Sequence, residues 1–141
     1  MVLAVDIGNT NICIGGLSGE GHRQVLFTTR MVTRARCTAD EYAAELKFLL
    51  GRLQVDCTAC EGVIACSVVP GLTTPLADAC RRLTGKEALI VSYTLDTGLT
   101  FRVDEPGRVG RDRIADAAAA AALYPLPCMT VDLGTATTYN V

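Results

Sequence analysis

The chain has no tryptophan, a single histidine (His22), and aromatic side chains limited to four Tyr and three Phe. A base-stacking platform for nucleic acid needs more aromatics than this. The formal net charge of −2 gives no reason to expect a nucleic acid or an anionic membrane surface as partner. No stretch approaches the roughly 20 continuous apolar residues of a membrane helix. The first residues read directly as a strand, with no basic leader or cleavage site, so no signal peptide is expected and the chain is expected to be cytoplasmic. With one histidine and a single C-x-x-C pair, Cys57-Thr58-Ala59-Cys60, a zinc site lacks its second pair of ligands. The other cysteines, Cys13, Cys37, Cys66, Cys80 and Cys128, sit mostly in apolar patterns. In a reducing compartment they read as small core residues.

What is present is a globular composition. Half of the 141 residues are apolar and a fifth are charged, enough for a sizeable core. Two matching stretches organise the rest: Asp6-Ile7-Gly8-Asn9-Thr10 near the start and Asp132-Leu133-Gly134-Thr135-Ala136-Thr137-Thr138 near the end. Each follows a short apolar run and leads into a second strand. An Asp at a strand end can orient a hydrated Mg²⁺ or another cation. Glycine lets backbone approach a ligand closely, and the N–H and hydroxyl groups of such a turn form an anion-binding concavity. Two copies facing each other can grip a polyphosphate.

Along the chain, residues 2–7, 11–17 and 23–30 read as an antiparallel meander, with Gly15-Gly16 supplying a bend and His22 at the second turn. Arg30, Arg34 and Arg36 make the approach to the next element basic, as a solvated loop or a contact for an anion. Thr38-Ala39-Asp40-Glu41 is a capping box opening a helix over about 39–53, with Tyr42, Leu46, Leu49, Leu50 and Leu53 on one face. Residues 62–69 read as a buried strand broken by Pro70-Gly71. Thr74 and Pro75 then open a second helix that Gly85 ends, and 88–91 is a strand. Residues 99–103 suit a short edge strand, 104–107 a turn, and 110–122 an alanine-rich helix. A final strand is expected over 128–132. The element order βββαβαβα, then the start of another hairpin, predicts an α/β fold with a mixed sheet. One complete lobe (1–125) is followed by the first strands of a second (126–141), which suggests a fragment of a longer chain.

Gly110-Arg111-Asp112-Arg113 is the third chemical stretch. An Asp at a helix start between two arginines should stay ionised and can accept a hydroxyl proton as general base. The flanking N–H groups and Arg113 can hold an acidic substrate. The bland alternative is a helix N-terminus with a dipole-compatible Asp and solvated arginines.

In this order and spacing, the motifs Asp6 to Thr10, Ser67-Val68-Val69-Pro70, Val109 to Arg113 and Asp132 to Thr138 resemble those of type III pantothenate kinase. That family belongs to the acetate and sugar kinase/Hsp70/actin superfamily. The resemblance covers essentially the whole chain, but about the first half of the family's usual length. It implies a ribonuclease H-like, actin-like ATPase lobe. It also implies ATP-dependent phosphorylation of pantothenate, the first step toward coenzyme A, by a homodimer. By motif position it implies that Asp6, Ile7, Gly8, Asn9, Thr10, Asn11, Ile12 and Cys13 form the first ATP phosphate loop, with Asp6 near Mg²⁺. Thr135 would touch ATP. Val103, Gly110, Arg111, Asp112 and Arg113 would hold pantothenate, with Asp112 as proton acceptor. Asp132 would ligate a monovalent cation, K⁺ or ammonium. Where the family usually has Tyr-x-Asn-Pro this chain has Val103-Asp104-Glu105-Pro106, and Asp116 stands where Asn is usual. Other readings are a non-catalytic relative accessory to transcription, a truncated inactive kinase, or a superfamily kinase with another acceptor.

Overall fold

In the first strand, alternation sends Leu3, Val5 and Ile7 to one face and Val2, Ala4 and Asp6 to the other. The same period-2 logic organises the strands around it. The structure, a computed structural model, describes every residue except Gly19, Glu20, His22 and Thr135. The expectations placed on His22 and Thr135 therefore lie outside the described residues. The chain divides into two compact units, Met1–Ile90 and Val91–Val141.

In the first unit β1 (Val2–Ile7), β2 (Asn11–Ser18) and β3 (Gln24–Val32) form the antiparallel meander. β4 (Gly62–Ser67) and β5 (Ala88–Ile90) add in parallel on the other side of β1, giving the sheet order β3-β2-β1-β4-β5. Gly15 and Gly16, read from sequence as a bend, lie inside β2, and the register against β3 shifts between Gly16 and Leu17. Gly16 is covered by Phe27: a Cβ there would lie 2.3 Å from the ring.

Helix α1 (Ala39–Arg52) starts at the predicted capping box. The Glu41 N–H donates to Thr38 Oγ1 (3.3 Å), and the Thr38 N–H donates to Glu41 Oε2 (2.8 Å). Those bonds, backbone first, hold the Glu41 carboxyl below its ordinary range. Tyr42, Leu46 and Leu50, four residues apart, are fully buried. The Tyr42 hydroxyl donates to the Arg34 carbonyl (3.1 Å), and Arg34 pairs with Glu45, so the basic approach is pinned to α1. Leu53 caps the helix and is exposed.

Helix α2 runs Pro70–Thr84, starting five residues earlier than the sequence suggests. Ladder pairing with β1 ends at Ser67, and Val68 donates to the Ile7 carbonyl (3.1 Å). Pro70 takes the first helical position, where a missing N–H costs nothing. Pro75, expected at that position, lies inside the helix and gives up one hydrogen bond. Leu72, Leu76, Ala79 and Cys80 of α2 join the α1 side chains over Leu3, Val5, Ile7, Ile12, Ile14, Val63 and Ala65 in one core.

The second unit begins with irregular backbone. Residues 99–103 form no strand, contrary to expectation, and Pro106–Arg108 makes a single 3-10 turn. Helix α3 spans Arg111–Leu123. β6 (Thr130–Leu133) and β7 (Thr137–Asn140) form a two-stranded antiparallel hairpin, with β6 starting two residues later than expected. No helix among the described residues is long and apolar enough to cross a membrane.

Candidate active site

The first Asp–Gly loop is braced from two sides. Asp6 lies near the end of β1, in register with Cys13 of β2 and Cys66 of β4, and is exposed on the face opposite the core. The Gly8 N–H donates to the Asn11 carbonyl (3.0 Å). Thr33 grips the loop twice: its Oγ1 donates to the Gly8 carbonyl (2.7 Å), and its N–H donates to the Thr10 carbonyl (3.0 Å). Asn9 and Thr10 are exposed at the tip, as is Cys13 on β2. Ile7 and Ile12 pair across the hairpin with fully buried side chains, so they can offer a ligand only backbone. Asn11 is half-buried. Thr33, which steadies the loop, carried no sequence signal; it becomes visible only through the pairing of β2 with β3.

In the second unit, Gly110 is the cap residue of α3, and its carbonyl accepts from the Ile114 N–H (3.1 Å). Asp112 Oδ1 accepts the Arg113 backbone N–H (2.8 Å). A Cβ on Gly110 would stand 2.4 Å from that oxygen, so only glycine leaves the carboxylate where it is. The Arg113 guanidinium is already engaged: Nε donates to Asn140 Oδ1 (2.7 Å) and Nη2 to the Tyr139 carbonyl (2.9 Å). Arg111 is half-buried beside Asp112 in the first turn. Val103 is exposed on irregular backbone, and Glu105, the residue that departs in charge, is met by Arg108 at 3.2 Å.

Asp116 lies within the electrostatic reach of two other carboxylates, Asp132 and Asp112. Asp116 lies one helical turn beyond Asp112 on α3. Its carboxyl is pushed above its ordinary range by burial first, then by the charges of Asp132 and Asp112. Asp116 and Asp132 line a cavity of about 260 Å³ with Ala119, Ala120, Tyr124 and Thr130. Asp132 is exposed and pairs in register with Thr138, whose Oγ1 is buried without a hydrogen-bond partner among the described residues. The structure thus brings Asp112, Asp116 and Asp132 into one electrostatic group, with Arg113 tied to the same hairpin. The i, i+4 spacing of Asp112 and Asp116 was the signal that could have placed Asp116 there. Asn140 carried none.

Among the described residues no group of three or more His, Cys, Asp or Glu side chains forms a metal site. Burial raises the thiols of Cys57 and Cys60 and pushes Cys80 up to about 12, with Cys57 and Cys60 adding to that last shift. Such thiols are poor nucleophiles at neutral pH.

The sequence model of the type III pantothenate kinase family matches residues 2–141. The chain is 42% identical over 139 residues to the type III pantothenate kinase of Dehalococcoides mccartyi strain CBDB1, covering 99% of this chain and 52% of the relative. It is 38% identical over 140 residues to that of Bifidobacterium longum subsp. infantis, covering 99% and 54%. The corresponding enzyme of Exiguobacterium sibiricum is 37% identical over 139 residues, again covering 99% and 54%. The chain belongs to the type III pantothenate kinase family. It spans about half the length of the curated relatives it matches.

Proposed function

We propose that the protein carrying this chain transfers a phosphoryl group from ATP to the hydroxyl of pantothenate, the first step toward coenzyme A. The observation that carries this reading is the family match, which runs unbroken through all three motif stretches. On this reading residues 1–125 form a ribonuclease H-like lobe, 126–141 open a second, and two copies associate as a homodimer. Asp6 to Cys13 form the first phosphate loop, and Thr135 contacts ATP. Val103 and Gly110 to Arg113 bind pantothenate.

Phosphoryl transfer asks a protein for positioning and charge neutralisation more than for covalent chemistry. Asp112, held at the start of α3, accepts the hydroxyl proton as the oxygen attacks. Its hydrogen bond from Arg113 fixes the carboxylate's direction. The donor set suits hard cations, since the candidate ligands are carboxylate and hydroxyl oxygens. Mg²⁺ takes one or two carboxylates and fills its shell with water and phosphate oxygens, which fits an exposed Asp6 acting without a protein cage. Asp132, with the unpartnered Thr138 hydroxyl across the hairpin, fits K⁺ or ammonium. Bound there, these cations would offset phosphate charge.

The test is pantothenate-dependent ADP release by the full-length protein, with the product identified by mass. Asp112→Asn should lower kcat by about 10²–10⁴-fold, the usual weight of a general base, while ATP still binds. Normal turnover by that variant would remove Asp112 from the role. Phosphate appearing on a sugar and not on pantothenate would overturn the acceptor.

A further inference from the structure

Arginine carries five N–H donors in a flat fork, and the geometry around Arg113 divides them. The side-on edge, Nε with Nη2, is taken by Asn140 Oδ1 at 2.7 Å and the Tyr139 carbonyl at 2.9 Å. Two bonds from one rigid plane to neighbouring residues of β7 fix both the position and the tilt of the guanidinium. The end-on edge, Nη1 with the second Nη2 donor, has no partner among the described residues, and Arg113 is exposed. The Asn140 amide is itself oriented: its Nδ2 donates to Thr130 Oγ1 at 3.0 Å. That bond, across the paired residues Thr130 and Asn140, turns Oδ1 toward Arg113 and the NH₂ group away from it. A flipped amide would set donor against donor.

We infer that Asn140, oriented by Thr130, is a positioning residue for the acceptor substrate. It holds the Arg113 guanidinium side-on so that the end-on fork is presented, ready aligned, to the carboxylate of pantothenate. This rests on the proposed function above, in which Arg113 binds that carboxylate. A planar fork fixed before binding loses less freedom when a carboxylate docks bidentately. Asn140 suits the task better than a carboxylate would: Asp at 140 would neutralise Arg113 and repel the incoming anion.

The experiment is steady-state kinetics on the full-length protein, comparing wild type with Asn140→Ala, Thr130→Val and Thr130→Ser. Loss of one charge-assisted hydrogen bond predicts about a tenfold rise in the pantothenate KM for Asn140→Ala. The KM for ATP and kcat should stay within about twofold, because uniform binding of one substrate is what is lost. Thr130→Val should raise the pantothenate KM by a smaller factor, about threefold, and Thr130→Ser, which keeps the hydroxyl, should restore it. If Asn140→Ala does not fold, the Thr130 pair carries the test. An unchanged pantothenate KM in an otherwise active series overturns the positioning role and leaves the proposed function standing. A parallel loss in kcat and both KM values also overturns it, since a merely structural role does that. A wild-type protein that leaves pantothenate untouched overturns the functional reading, and this inference with it.

Discussion

Met1–Ile90 and Val91–Val141 hold themselves together by different means. The first unit closes a continuous core in which Leu3, Ile7, Ile12, Tyr42, Leu46 and Leu50 are wholly removed from water. In the second, the buried apolar residues among those described are Val91, Ile114 and Ala120. Leu123, Tyr124, Leu126, Met129, Leu133 and Tyr139 remain exposed there, Leu133 by 81%. A hairpin of two four-residue strands is marginal by itself. Polar ties, Arg113 to Tyr139 and Asn140 and Asn140 to Thr130, link α3 to the hairpin and the two hairpin strands to each other. The unit with the thin core is also the one that gathers three carboxylates. Clustered like charges cost stability, so the contrast is one between a scaffold and a chemically loaded segment.

The comparison breaks most sharply at Asp112. Asp112→Asn should remove about 10²–10⁴-fold of kcat in the full-length protein with little change in thermal unfolding, because the substitution keeps the side chain's shape. Leu46→Ala should do the reverse. Emptying a fully buried leucine site costs about 2–5 kcal/mol, read as a shift in the denaturation midpoint. Amide exchange should speed up across residues 1–90 more than across 91–141; an equal loss of protection in both would show that the two units unfold together. Thr38→Ala removes the cap of α1 and should cost about 1 kcal/mol by the same denaturation measurement.

The smallest effect sharpens the contrast from the other side. Asp116 has a carboxyl raised in the folded state, so its ionisation opposes folding. Asp116→Asn should therefore raise Tm at neutral pH. That gain should shrink as pH falls through the raised value and vanish below the ordinary 3.8, where both states of the wild type are protonated. A gain that persisted at low pH would mean that packing, not charge, sets the effect.

The division between what was legible in the residues and what was not follows the range of the interactions. The meander, the capping box at Thr38–Glu41, the α1 stripe of Tyr42, Leu46 and Leu50, and the two Asp–Gly loops were all readable in advance. Each depends on spacing along one segment, which the covalent chain imposes. Four features were decided only by partners distant in sequence. β4 ends at Ser67 although Val68 and Val69 favour a strand, because β1 offers no further ladder partner. Pro75 sits inside α2 because the helix begins where that ladder stops. Asp116 joins Asp132, and Arg113 joins Asn140, only because α3 lies against the hairpin. Local spacing sets what a segment can become; strand pairing and the approach of charges set which of those options has the lowest free energy, and neither exists until the segments meet.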